Sequence, residues 1–513
     1  MRIVFSYSRW SAEYGLFGHL AKRGSTWPPL AQALLAAVCE EAGYESIILD
    51  GEANGWNTER MAKEVIAQKP DIVGISAYSP FYHLSADLAK AIKKINPDIP
   101  IMGGGPHFTI QKENAMASCF DYGFLGEAED SLPEFLEVGN EYGFHLGVND
   151  HCNSVFDKVR GIMYRDGGEI KSTGPRWVID SMKQSEVEDY HPLDRLPFPA
   201  RHLLNMRHYK LGTMNGRNYF TSIQTQRGCN WGCIFCASDA LKTKRVIFKS
   251  PKRVVEEMKD IATRFPFIKH LYIVDDVLTY KPKHIVEIVD RMDAEGLKFT
   301  FESSTRANMV NDRYYPGLIP RLAKSGLIRL SFGLETIDPK MRVTMQKKVS
   351  IDAYPEANRI CSENGVEAMN SLMIGLPGET RETIRHTIEW VAAQRDIKQA
   401  NLAIAVPYPG TEFHEMAVSG AHGLELLSED FADYLRYGNA VTNVGDLRAQ
   451  DLIEFQNDGF AVIYSKWWRW RSIWKKYGTI GFALQMLRIL RMWRRKFFKL
   501  RPSRPVMRHP KET

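Results

Sequence analysis

The sequence predicts an α/β protein built from two successive units. An open, Rossmann-like parallel sheet is expected over residues 1–140 and a partial parallel (β/α)6 barrel over 216–415, with a connecting region at 141–215 and a helical C-terminal region at 416–513. Two observations carry this. Short apolar runs alternate with amphipathic stretches of helical period in both units, the pattern of strands that pair in parallel through helical crossovers. Glycine and polar residues cluster just after the apolar runs, where open α/β sheets hold their ligands. At 513 residues, 44% hydrophobic and 25% charged, the composition is that of an ordinary globular protein of several domains. There is no apolar run of 18 residues, and the N-terminal MRIVFSYS reads as a strand rather than a leader, so a cytoplasmic protein is expected.

In the first unit Arg2–Tyr7 is an apolar strand, and Pro29–Ala42 a helix ended by Gly43. Ser46–Asp50 is the second strand, followed by a helix over Thr58–Gln68 that Thr58 can cap. Ile72–Ala77 reads as a buried strand, Leu84–Ile95 as a helix, and Ile99–Met102 as a strand running into Gly103-Gly104-Gly105-Pro106-His107. Tyr122–Leu125 is a short strand before Gly126-Glu127-Ala128-Glu129. The strand-end rule selects Ser76-Ala77-Tyr78-Ser79 and Gly103–Thr109 as ligand contacts. Glycines there let a large planar or phosphate-bearing ligand approach the backbone. A generic nucleotide-binding or ligand-free flavodoxin-like unit fits the same text.

The connecting region holds a hairpin signal around Asp166-Gly167-Gly168 and then proline-rich text. In the second unit the strands are Tyr219–Gln224, His270–Val274, Lys298–Glu302, Leu327–Phe332, Ala368–Ile374 and Gln399–Ala405. Helices such as Pro251–Arg264, Lys283–Glu295 and Thr380–Gln394 lie between them. Polar or glycine-rich text follows each strand: Asp275-Asp276, Ser303-Ser304-Thr305-Arg306, Gly333-Leu334-Glu335-Thr336, Gly375–Glu379 and Pro407–Thr411. A barrel of this kind places its active site at those ends.

The first of these strands runs into Arg227-Gly228-Cys229-Asn230-Trp231-Gly232-Cys233-Ile234-Phe235-Cys236, a C-x3-C-x2-C spacing. Three thiolates on one short loop can hold three irons of a cubane cluster and leave the fourth iron open to bind and reduce a ligand. Gly228 and Gly232 let the backbone wrap the cluster, and Phe235 can shield it from water. Structural zinc wants four ligands, commonly two paired C-x-x-C units, and no second pair occurs. Cys39, Cys119, Cys152 and Cys361 are scattered and read as buried small hydrophobes. An odd count of 7 cysteines in a chain this long does not suggest a disulfide framework.

Cys229, Cys233, Phe235 and Cys236 match the C-x3-C-x-Φ-C signature, with Φ aromatic, and the chain resembles the radical S-adenosylmethionine (SAM) enzymes. The segment 70–109 resembles the cobalamin-binding domain that precedes the radical SAM core in one large subfamily, which includes the anaerobic magnesium-protoporphyrin ester cyclases. The resemblance covers roughly residues 1–415. It implies a [4Fe-4S] cluster on Cys229, Cys233 and Cys236, and a slot for the nucleotide tail of cobalamin at Ser76, Gly103, Gly104 and Gly105. It further implies SAM contacts from Ser303, Arg306 and Glu335, with Arg306 pairing the SAM carboxylate and Asp276 facing substrate or adenosine. For any single carboxylate, a helix cap at a strand–helix turn fits equally well. The D-x-H-x-x-G motif that supplies a cobalt-ligating histidine is missing between Ser8 and Pro29, where His19 lacks the aspartate two residues before it. Base-off cobalamin without a histidine ligand is therefore expected, with His19 and His107 as loop residues.

The net charge of +6 hides an asymmetry. Residues 459–513 hold 15 Lys/Arg and one acid, Glu512, leaving 52 basic and 60 acidic residues in 1–458. Lys466–Arg501 carries five of the 11 tryptophans; Trp467, Trp470 and Trp474 recur at helical spacing, as do Phe482, Met486, Ile489 and Trp493. Basic amphipathic helices rich in Trp suit an anionic membrane interface. Packing of the aromatic stripe on the barrel fits as well, and nucleic acid is set below both because no RNA-binding module accompanies the tail.

The expected function is cobalamin-dependent radical SAM C-methyl transfer to an unactivated carbon of a small-molecule or lipid-like substrate, with ferredoxin or flavodoxin as electron donor. Oxidative ring formation or rearrangement is the alternative enzyme reading, and a cobalamin-binding sensor or scaffold the non-enzymatic one. Peripheral association with the inner face of the membrane is carried with the tail.

Overall fold

The computed structural model describes residues 1–11, 26–144, 155–166, 168–178, 191–213, 216–241 and 245–471, and scattered positions to 490. His19, Cys152, Gly167, Ile489 and Trp493 lie outside the described residues. The first sheet has five parallel strands: β1 (Arg2–Tyr7), β2 (Glu45–Asp50), β3 (Ile72–Ser76), β4 (Ile101–Gly104) and β5 (Tyr122–Phe124), in the order β2-β1-β3-β4-β5. Their helices are α1 (Leu30–Glu41), α2 (Thr58–Ala67), α3 (Tyr82–Ile95), α4 (Pro106–Gln111) and α5 (Ser131–Tyr142). Helix α2 is capped by Asn57, whose side chain accepts from the Arg60 N–H at 2.9 Å, and not by Thr58. Ile3, Val4, Ile72 and Val73 are fully buried, as strands covered on both faces require.

The hairpin signal in the connecting region is realised as β6 (Ile162–Asp166) and β7 (Glu169–Ser172). These strands pair antiparallel beyond β5 and lengthen the sheet to seven strands. Strand β4 starts two residues later than the apolar pattern suggests, after Pro100. Gly103 and Gly104 therefore belong to the strand, and Gly105 alone, at φ +96°, makes the turn into α4.

The second sheet has the order β14-β13-β12-β11-β10-β9-β8. Its parallel strands are β9 (Gly216–Ile223), β10 (His270–Ile273), β11 (Thr300–Thr305), β12 (Leu327–Glu335), β13 (Glu367–Ile374) and β14 (Gln399–Ile404), with β8 (Lys210–Thr213) antiparallel on β9. This is an open half-barrel, with α6 (Pro251–Arg264), α7 (Pro282–Ala294), α8 (Leu318–Lys324), α9 (Ala353–Glu363) and α10 (Arg381–Ala393) in its crossovers. Strand β11 ends at Thr305, so Ser303 lies inside the strand and not in the loop after it. Strand β12 continues through Gly333 to Glu335 with a register shift.

The connecting region ties the two units together: toward the first sheet the Ala200 N–H donates to the Ala33 carbonyl and the Tyr209 hydroxyl to Asp50, both at 2.8 Å, and Arg201 anchors it to the barrel. The Arg201 guanidinium is fully buried; it donates to the Thr221 hydroxyl at 3.0 Å and the Ser222 carbonyl at 2.7 Å, and pairs with Glu257 at 2.6 Å. Burial works against the Glu257 charge, but Lys249 and Arg201 outweigh it and lower its pKa to about 2.

The C-terminal region is not all helix. A two-stranded ladder, Leu424–Leu426 with Thr442–Val444, precedes α11 (Ala449–Tyr464). Helix α11 protects the sheet edge. Gln456 donates to the Leu402 carbonyl at 2.9 Å, and the Tyr464 hydroxyl donates to the Ala400 carbonyl at 2.7 Å and accepts its N–H at 3.1 Å. Just beyond, the buried Arg469 side chain donates to the carbonyls of Val391, Ala392, Gln394, Ile397 and Ile463. It thereby satisfies acceptors left at the end of α10. No helix among the described residues is long and apolar enough to cross a membrane.

Candidate active site

The cysteine loop leaves β9 and is clipped at its base, where Gln226–Arg227 pairs antiparallel with Ile247–Phe248. The buried Asp275 carboxylate, at the end of β10, accepts from Thr225 N–H at 2.8 Å, Gln226 N–H at 3.1 Å and the Thr225 hydroxyl at 2.5 Å. Burial raises its pKa to about 6, against those three bonds. Gly228 sits at φ +103°, and a Cβ there would lie 2.2 Å from the Arg245 carbonyl oxygen, so the clip accepts only glycine. Inside the loop, Cys236 N–H donates to Cys233 O and Cys233 N–H to Trp231 O, both at 3.0 Å. Phe413 N–H, from beyond β14, donates to Ile234 O at 3.0 Å.

Cys229, Cys233 and Cys236 are all half-buried, whereas Cys39, Cys119 and Cys361 are buried. Burial raises the Cys233 thiol pKa, and Lys347 and Arg306 oppose it. Burial also raises Cys229, with the nearby Asp276 charge adding to it. Among the described residues no three His, Cys, Asp or Glu side chains converge on one point as a single metal ion requires. A cubane is served differently, by thiolates standing apart on separate corners. Three half-buried thiols on one loop, flanked by cations, fit that donor set.

Around the loop the Arg306 guanidinium lies 3.8 Å from the centroid of the Trp231 ring and donates to Lys348 O at 2.9 Å. Arg306 Nε and Trp231 Nε1 are buried without a protein partner. Glu335, at φ +64°, pairs with Lys347 at 3.2 Å. Burial works against the Lys347 charge, and Glu335 outweighs it, so the pKa of Lys347 rises. A Cβ at Gly333 would lie 2.3 Å from Glu335 Oε1, so this glycine makes room for the pair. A non-glycine residue in this conformation costs about 1–3 kcal/mol and is kept where a site needs it. The Lys347 ammonium stands 5.9 Å from the Phe235 ring centroid. Ser303 points into the barrel wall, donating to Ile273 O at 2.8 Å. Lys347 has no signal in the sequence, whereas Trp231 lies in the cysteine run and Asp275 in the polar text after the second strand, neither with a role assigned.

Glu379, at the turn after β13, accepts from Leu376 N–H at 3.0 Å and Gly375 N–H at 2.5 Å, and burial raises its pKa from 4.5 to about 8. Its folded-state pKa is raised, so its contribution to stability falls as pH climbs from 4.5 and the loss is complete above about 8. Melting profiles of Glu379→Gln and wild type are expected to converge near pH 5 and separate above pH 8, with the variant more stable; parallel profiles would contradict this.

At the ends of β3 and β4, Ser76 and Gly104 are register partners. A Cβ at Gly105 would lie 3.2 Å from Ser76 Oγ and 3.1 Å from Ala77 O, whereas one at Gly104 would meet only Phe124 Cβ at 3.7 Å. Gly103 differs: its missing Cβ is where the Phe108 ring packs, 1.9 Å away, so its role is packing. His107 is buried and spoken for. Its Nδ1 is 3.1 Å from Ser79 Oγ, its ring stacks on Tyr82 at 4.0 Å, and burial lowers its pKa to about 4.

The helix after the glycine turn and the segment just past the cysteine loop meet at one interface. Gly410, in the loop after β14, lies against both Ile110 of α4 and Ala240 just past the cysteines. Phe431 packs on His107, ring centroids 5.5 Å apart. A half-barrel with a cysteine-triad loop after its first strand defines the radical SAM class, and an open sheet set against that loop defines its two-cofactor form.

Comparison with known proteins agrees. The family model described as B12 binding domain matches residues 18–136, and that of the radical SAM superfamily matches 223–391. An uncharacterized methyltransferase of Pyrococcus horikoshii is 30% identical over 398 residues, 77% of this chain and 80% of that one. The anaerobic magnesium-protoporphyrin IX monomethyl ester cyclase of Rubrivivax gelatinosus is 25% identical over 401 residues, 77% of this chain and 67% of that one. The structure of the radical SAM methyltransferase TsrM from Kitasatospora setae, with cobalamin and a [4Fe-4S] cluster bound, superposes with a TM-score of 0.66 at 18% identity, covering 90% of this chain and 88% of that one. The chain belongs to the cobalamin-dependent radical SAM enzymes, the family of these methyltransferases and cyclases.

Proposed function

We propose that the enzyme transfers a methyl group to an unactivated carbon of a small-molecule or lipid-like substrate. The observation that carries this reading is the shared interface of the glycine slot and the cysteine loop, which would let two cofactors act on one carbon. In this family the cluster, SAM and cobalamin together supply hydrogen abstraction and methyl delivery. In net terms one substrate C–H, two SAM molecules and two electrons give the methylated product, S-adenosylhomocysteine, methionine and 5′-deoxyadenosine. Ferredoxin or flavodoxin is the proposed source of the electrons.

The roles follow from chemistry and placement. Cys229, Cys233 and Cys236 hold the cluster, and Phe235 keeps water from it. Glu335 accepts from the SAM amino group, and Arg306, with Nε unpartnered, takes the SAM carboxylate. Ser303 backs that pocket from the barrel wall. Ser76, Gly104 and Gly105 admit the nucleotide tail of cobalamin, with Gly103 fixing the strand beneath. With His107 held by Ser79 and Tyr82, base-off cobalamin without a histidine ligand is the consistent form. Reduced, cobalamin-loaded enzyme given SAM with a deuterated methyl group and a metabolite and lipid extract is expected to yield a product that carries one CD3 group in place of a hydrogen of its precursor. A product that has lost hydrogens and gained no label would establish oxidative cyclisation instead, the reading that the 25% identical cyclase favours.

We also infer that the C-terminal region touches an anionic membrane. Trp467, Trp470 and Trp474 are 69%, 40% and 53% exposed, and they begin a stretch with 15 basic residues and one acid over 459–513. Each basic residue near such a surface adds about 1 kcal/mol. Because these rings are exposed, replacing all three with alanine should spare the fold and weaken binding to phosphatidylglycerol vesicles about 10-fold or more. Unchanged vesicle binding would refute the inference.

A further inference from the structure

The residue before Gly228 joins the two units. Arg227 Nη1 pairs with Glu127 Oε1 at 2.7 Å and with Glu129 Oε1 at 2.9 Å, and its Nε donates to Gln224 Oε1 at 3.2 Å. The side chains are 11%, 15% and 7% exposed, so solvent does little to screen the pairs. Burial opposes the Arg227 charge, and Glu129 and Glu127 outweigh it.

The other end of Glu127 is also fixed. Its Oε2 accepts from Val178 N–H at 2.5 Å, and its own N–H donates to Arg176 O at 2.8 Å. Gly126 lies so close that a Cβ there would be 2.3 Å from Arg176 O. Gly126 N–H donates to the Thr109 hydroxyl oxygen at 3.0 Å, and that hydroxyl donates to Gly105 O at 3.2 Å. A continuous path of hydrogen bonds, one ion pair and short stretches of backbone thus runs from the turn of the glycine slot through Thr109, Gly126, Glu127 and Arg227 to Gly228 and Cys229.

We propose that Arg227, clasped by Glu127 and Glu129, is a positioning residue that sets the separation between the cobalamin slot and the cluster loop. The inference rests on the cofactor assignment above. The rigidity has a chemical use. Methyl delivery to a carbon radical demands near-contact geometry, and a misplacement of about 1 Å can cost about 100-fold in rate. One guanidinium between two carboxylates resists sliding, since movement toward either partner loses the other. A lysine keeps the charge but has a single nitrogen, and so cannot hold both carboxylates as Nη1 does and Gln224 as Nε does.

The test compares wild type with Arg227→Gln, Arg227→Lys and Glu127→Gln. In the chain without cofactors, amide exchange is expected to rise about 10-fold at both 126–129 and 228–233 in Arg227→Gln and Glu127→Gln, with Arg227→Lys between them and wild type. In holoenzyme reduced to paramagnetic cluster and cob(II)alamin, the magnetic interaction between the two centres is expected to weaken or broaden in the variants, although iron and corrinoid contents stay at wild-type levels. Unchanged interaction in fully loaded Arg227→Gln overturns the proposal, as does exchange that rises at 228–233 while 126–129 stays unmoved. Wild-type protein that takes up no corrinoid overturns the cofactor assignment instead, and the exchange comparison then still decides whether the clasp couples the two loops.

Discussion

Cys233→Ala is expected to lose the cluster and with it all SAM cleavage. Two thiols on the loop cannot hold three corners of a cubane, and the vacated site lies beside Lys347 and Arg306, which supply no replacement ligand. Iron and acid-labile sulfide per chain should fall to background after anaerobic reconstitution, and the broad thiolate-to-iron absorption should vanish. The fold should persist, because the loop is also tied by Ile234, Phe413 and the Gln226–Arg227 clip, none of which needs the thiol. A variant that keeps wild-type iron would remove Cys233 from the ligand set.

Gly228→Ala is expected to be nearly as damaging without touching a ligand. The added methyl would lie 2.2 Å from Arg245 O, a backbone atom of the facing segment, at a φ of +103° that alanine rarely adopts. The backbone cost alone is about 1–3 kcal/mol, and relief requires the clip to open. Opening it would swing Cys229 and Arg227 together, so cluster occupancy and the tie to Glu127 should fail in step. Reconstituted iron per chain, read beside the melting temperature, checks this. Full iron at an unchanged melting temperature would show that the clip yields without cost.

The cysteine loop was legible in the sequence because its three cysteines, its glycines and Phe235 lie within ten residues. The alternating units were legible for a similar reason, since their strands and helices are long enough to show a period. Long-range pairs were not. Nothing local marks Glu127 as the partner of Arg227, 100 residues away, or Lys347 as the partner of Glu335 at a strained position. The end of β11 was misplaced because Ser303-Ser304-Thr305 reads as polar loop. In the fold these residues pair with Leu330, Ser331 and Phe332, and Ser303 and Thr305 satisfy their hydroxyls on Ile273 O and Thr279 Oγ1. The glycine triplet could be located but not apportioned, since the packing role of Gly103 depends on Phe108. In the C-terminal region, strands of three residues are too short to show a period, and the helical spacing of Trp467, Trp470 and Trp474 was the one periodic signal.

The most direct test of the account is the yield of 5′-deoxyadenosine from anaerobic, reduced, cobalamin-loaded enzyme given SAM. Formation is expected to depend on reductant and to be absent from Cys233→Ala prepared in parallel. A wild-type yield no greater than that of Cys233→Ala would contradict it.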